Sequence, residues 1–181
     1  MSLATATLIP GLLLFVLGAL LLIGGASIGA FLKALPRSTV ATVIFFGGAA
    51  AWFIYEVAHM SKADLIVFSS PTPLVIGFGV LALLSFKFAP DFLAVRGLAA
   101  AVLLGAWPLL TPAYMQYDKP QRLLMVTAAF IAVGLAIWLG AQPWRLRDFL
   151  QWLFARPARP QALGGVLAGY GLLLVVVAFT Y

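Results

Sequence analysis

Cysteine is absent from this chain, and glutamate and histidine occur once each, as Glu56 and His59. Without cysteine there is no disulfide framework, no Cys-ligated zinc, no iron–sulfur cluster and no thiol nucleophile. A single histidine excludes a haem held by two histidines of one chain. One Glu-x-x-His is half of a di-iron carboxylate motif, which needs a second such pair and two further glutamates. Walker A, Gly-x-Gly-x-x-Gly and zinc-protease motifs are also missing. No stretch between the apolar runs is long enough for a soluble catalytic domain. The reading is therefore no enzyme, no metal and no cofactor.

Charge is the other scarcity. Charged residues make up 9% of the 181 residues, against 64% hydrophobic; soluble domains carry about 25% and about 45–50%. A core of this size cannot hide so much apolar surface, so the bilayer is the expected solvent. Six charge-free stretches follow one another: residues 2–32, 38–55, 65–86, 97–117, 123–144 and 160–181. About 20 helical residues cross the hydrocarbon core, and helices satisfy their own backbone groups there. Strand-like alternation is missing, which argues against a barrel. The N-terminal run has no preceding basic residue, so it reads as a first span rather than a signal peptide.

The fold class expected is an all-α integral membrane protein: six transmembrane helices in one compact bundle with short loops. The spans are placed at 10–32, 38–58, 72–88, 92–110, 120–140 and 160–179 within a single domain, residues 1–181. Pro10 and Pro120 suit first turns, Ser38 or Thr39 suits a cap, and Asp91 suits the start of the fourth helix. The segment 144–156, bounded by Pro143 and Pro157, places Leu146, Phe149, Leu150 and Leu153 on one face and Arg145, Asp148 and Gln151 on another. That pattern predicts a short helix in the membrane surface, with Arg145, Arg147, Trp152 and Arg156 as candidate lipid contacts.

Six spans put the connections after the first, third and fifth on one side. Those carry eight basic residues (Lys33, Arg37, Lys87, Arg96, Arg145, Arg147, Arg156, Arg159); the other side carries three, Lys62, Lys119 and Arg122. The basic side faces the cytoplasm, so both termini are expected outside, on the periplasmic face of a bacterial inner membrane. The formal net charge of +6 then reflects topology, and no nucleic-acid partner is expected. The three basic turns share a Phe-Leu…Arg pattern, in "FLKALPR", "FLAVR" and "FLQWLFAR".

Glu56 and His59 share one face at the outer end of the second span, after Trp52 and Tyr55. They read either as an ordinary helix exit in the aromatic belt or as a proton, cation or partner site. Lone His59 could also ligate a pigment or haem supplied by a complex. Gly25 with Gly29 and Gly165 with Gly169 form small-x-x-x-small patterns, suited to close helix packing within the bundle or against another subunit. With few polar groups at depth, Ser27 and Thr42 among them, the leading expectation is a non-catalytic helical subunit. It would scaffold or anchor a larger membrane complex, of energy-conversion or motor type, with lipids and other membrane subunits or further copies of itself as partners. The alternative is a small oligomeric transporter or channel with Glu56 and His59 at its outer mouth. A membrane enzyme acting on headgroups is the third.

Overall fold

The structure, a computed structural model, describes residues 1–61, 64–65 and 70–181, and these are mainly helical with no strand among them. Lys62, counted above among the outer charges, lies outside the described residues. The elements are α1 (Leu3–Ile23), α2 (Gly25–Ala34), α3 (Thr39–Ala58), α4 (Thr72–Phe88), α5 (Leu93–Leu110), α6 (Arg122–Ala141), α7 (Trp144–Leu153) and α8 (Ala158–Ala178). Among the described residues five helices are long and apolar enough to cross a membrane: α1, α3, α5 with its 3₁₀ extension to Ala113, α6 and α8. The sixth expected span, α4, has 17 residues, about 26 Å of helix at 1.5 Å per residue.

The first expected span differs at both ends. It starts at Leu3, because Ser2 caps it by accepting the Thr5 N–H at 3.1 Å. Pro10 lies inside the helix, a position that apolar spans tolerate better than soluble helices do. The helix then stops at Ile23. Gly25 takes φ +47, a left-handed backbone open chiefly to glycine, and the chain continues as the separate helix α2. Residues 25–32 are thus not part of the first span. The start of α5 also differs: Phe92, not Asp91, occupies the capping position, in a left-handed conformation (φ 56) with no side-chain cap. Ser38 does cap α3, accepting from the Ala41 N–H.

Helix α3 is not uniform. Residues Val43–Gly47 form a π-turn, whose widened backbone meets Gly97 of α5. A Cβ there would overlap the Phe46 backbone, so only glycine fits. Gly105 faces Trp52 about two turns further along, so α3 and α5 run the same way. Between them in sequence, α4 runs back. Phe86 packs edge-on against Phe46 at 5.3 Å and Phe78 against Phe53 at 5.0 Å. No residue of α4 is buried, so it lies at the periphery.

The tightest pairing is between α1 and α8, first and last in the chain. They are antiparallel, with Gly11 against Gly171 and Leu174, and Gly18 against Gly164 and Ala168. A core at that end joins Leu3 and Ala6 to Ala113, Met125, Ala129 and Leu174. Both termini and the α5–α6 connection therefore share one end of the bundle. The opposite end gathers the turns after α1, α4 and α6: Arg37 and Arg147 both lie over the Phe92 ring, at 5.3 and 5.8 Å, and Phe154 lies against Gly29. Outside, large apolar side chains such as Leu13, Ile23, Ile76, Leu83, Phe130 and Val176 are exposed. Such continuous apolar exposure marks a surface that lipid or protein covers.

Candidate functional site

Glu56 and His59 lie on the last turn of α3, and the structure satisfies each through its own helix. Trp52 donates its indole N–H to Glu56 Oε1 at 2.9 Å. His59 Nδ1 lies 2.8 Å from the Tyr55 carbonyl oxygen, and the two rings are tilted against each other at 4.2 Å. Four-residue spacing makes these contacts local. Trp52 also packs on Gly105 of α5, so the Glu56 carboxylate is tied indirectly to the bundle. Both Glu56 and His59 are exposed. The His59 backbone N–H donates to the Glu56 carbonyl at 3.1 Å, but among the described residues no hydrogen bond joins their side chains. Three clefts between elements have volumes of about 350, 430 and 250 Å³, and neither residue lines any of the three.

The second predicted group is α7 and its flanks. The helix spans Trp144–Leu153, three residues shorter than the sequence pattern at its end. Leu150 and Leu153 are buried and Leu146 is half-buried, whereas Phe149 is exposed and stacks on exposed Trp152 at 6.0 Å. The apolar face is thus divided: one part packs on the bundle and the aromatic part turns outward. Arg145 donates to Gln142 Oε1 at 3.1 Å. Arg147 donates two hydrogen bonds to one oxygen of Asp148. Arg156 is exposed in the turn before α8. Trp152 is held from below by Arg159, whose guanidinium lies 4.4 Å from the ring centroid and donates to the Trp152 carbonyl at 2.6 Å.

The glycines separate by face. Gly29 receives the Phe154 ring, and Gly25 is the left-handed residue of the α1–α2 break. Gly165 and Gly169 have open space where a Cβ would stand, as do Gly77, Gly79 and Gly134. Within the chain the close approach of α1 and α8 falls instead on Gly11, Gly18, Gly164 and Gly171. The two patterns differ by a single register step in α8, and the sequence carries both.

Four hydroxyls in the apolar stretches bond locally. The buried Thr7 hydroxyl donates to the Leu3 carbonyl at 3.0 Å and Thr42 to Ser38 at 2.9 Å. Ser85 donates to Leu81 at 2.8 Å and Thr111 to Trp107 at 2.7 Å. Two anchors escaped the sequence reading. Tyr170 of α8 donates its hydroxyl to the Leu124 carbonyl of α6 at 2.8 Å. Arg122 donates to the Ala113 carbonyl at 2.6 Å and lies over Tyr117 at 4.9 Å, closing the α5–α6 connection. A tyrosine mid-span and an arginine at the edge of an apolar run were the available signals; the Tyr170 partner is 46 residues away and those of Arg122 lie across the connecting loop.

Comparison with protein-family models, with curated proteins and with solved structures finds no match to this chain.

Proposed function

We propose that this chain is a non-catalytic helical subunit that scaffolds or anchors a larger membrane complex. The observation that carries the reading is that the hydroxyls of Thr7, Thr42, Ser85 and Tyr170 make their hydrogen bonds within the chain. Threonine and serine hydroxyls bond to their own helices, and Tyr170 bonds across to α6. This leaves outer faces that are apolar, with small residues open to close approach at Gly165 and Gly169. Such faces suit another membrane helix as readily as lipid.

In this reading α4 is a sixth span. Its length is near the roughly 30 Å hydrocarbon thickness, and its antiparallel packing on α3 carries the chain back across the bundle. Both termini then face outward and the three basic turns face the cytoplasm of a bacterial inner membrane. Exposed aromatics near the two ends support this placement: Tyr55, Tyr114 and Tyr117 at the end with the termini, Trp144 and Trp152 at the other.

The test is native composition. The chain is tagged at its C-terminus, extracted from native membranes in mild detergent and weighed by native mass spectrometry. Stoichiometric partners of different sequence support the subunit reading. A monomer or homo-oligomer that conducts ions after reconstitution would overturn it, and would move the role to transport with Glu56 and His59 at the mouth.

A further inference from the structure

The break between α1 and α2 opens onto a cleft of about 350 Å³. Its walls come from three parts of the chain: Leu20–Leu22 at the end of α1, Gly24–Ala26, Ile28, Gly29 and Lys33 at the break and along α2, and Phe154, Pro157, Pro160 and Gln161 around the start of α8. It lies at the basic end, on the level where α8 enters the bundle. The lining is mixed. Leucines, Ile28 and the Phe154 ring form its apolar part, while Lys33, Gln161 and the broken backbone form its polar part.

The backbone contribution follows from the break itself. A helix that stops leaves its last carbonyls without intrahelical partners, and one that starts leaves its first amides so. Gly24 accepts from the Ile28 N–H at 3.2 Å, but no capping bond joins it back to α1 and no side chain caps α2. Open backbone groups this close to hydrocarbon are tolerated where they line a polar cavity. In addition, a lysine and a carboxamide from elements far apart in sequence line the same space. Pro157 and Pro160 supply no N–H, so the donors concentrate on the α2 side and at Gln161.

We infer that this cleft seats the phosphate-bearing headgroup of an anionic phospholipid. Lys33, in the last turn of α2, takes the phosphate oxygens; the first amides of α2, about 12 Å away along the helix, and Gln161 take the glycerol-ester oxygens, and the acyl chains leave along Leu20, Leu21 and Leu22. The shared chemistry, a phosphate oxygen, would suit a free phosphate too. The apolar half of the lining selects the lipid.

The full chain, purified in mild detergent, is titrated with phosphatidylglycerol and with phosphatidylcholine of the same acyl chains, and bound lipid is counted by native mass spectrometry. The wild type retains one phosphatidylglycerol per chain in preference to phosphatidylcholine. Lys33→Gln lowers the affinity about fivefold, the weight of one basic side chain at an anionic surface. Lys87→Gln, which removes the same charge at the same end outside the cleft, leaves it unchanged. Ala26→Leu fills the cleft while keeping every charge, and expels the lipid. Equal losses for Lys33→Gln and Lys87→Gln would reduce the effect to diffuse attraction and overturn the site. So would unchanged retention by Ala26→Leu, equal retention of the two lipids, or displacement by inorganic phosphate.

Discussion

Glu56 and His59 are the residues a chemist would mutate first, since each is the sole example of its kind in the chain. Their geometry argues for a modest effect on folding. Glu56→Gln keeps an acceptor for the Trp52 N–H, and His59→Ala gives up a contact made within one helical turn at the surface. Both variants should unfold within about 0.5 kcal/mol of wild type, the range of surface substitutions, by thermal denaturation in detergent. A larger loss would mean that the Trp52–Glu56 bond fixes α3 against α5. Tyr170→Phe is the sharper change, because it leaves the Leu124 carbonyl without its cross-helix donor. It should cost about 1 kcal/mol, measured in the same way. The spacing of Glu56 and His59 and their aromatic neighbours were legible in the sequence. The Tyr170 bond was not, because 46 residues separate its partners.

At the scale of elements, the α1–α8 pair rests on glycines chosen by face. At Gly18 a Cβ would run into the Ala168 backbone, whereas at Gly165 it meets nothing. Gly18→Val should therefore destabilise the isolated chain by about 1–3 kcal/mol, the usual cost of overpacking, while Gly165→Val leaves it unchanged. The same Gly165→Val variant should lose co-purifying partners if the open face docks a subunit. Two readouts, unfolding and co-purification, thus separate inner from outer glycines. Gly97→Val makes the corresponding test for α3 and α5. Its side chain would enter the π-turn backbone at Phe46, and the expected outcome is loss of the folded fraction on gel filtration. Helix α7 was legible from its periodicity. The division of its apolar face was not, since Leu150 and Phe149 look alike until the bundle takes one and leaves the other outside.

For the whole molecule, the testable property is topology. The chain has no cysteine, so single cysteines can be introduced against a silent background. Cysteines at Ser2, Tyr117 and Thr180 should react with a membrane-impermeant reagent added outside intact cells. Cysteines at Ala34 and Ala155 should react only after permeabilisation. Reaction of Ser2Cys and Thr180Cys from opposite sides would remove α4 as a span and leave the five long helices. The structure brings both termini to one end, and a crossing by α4 is the reading that these cysteines test.

The sequence by itself determined the helical class and the run of apolar helices of membrane-spanning length. Those follow from transfer free energies and local backbone rules: charge-free runs of spanning length, and the Ser38 cap at the start of α3. Tertiary structure alone decided which glycines touch, where the first helix breaks, and that the three basic turns meet around Phe92. The break illustrates the difference. Gly24 and Gly25 lie in an unbroken apolar run that reads as continuous helix, and lipid would accept it as such. Gly25 permits the turn locally, but the contact that receives α2, Phe154 at Gly29, joins residues more than a hundred positions apart and is contained in no local rule.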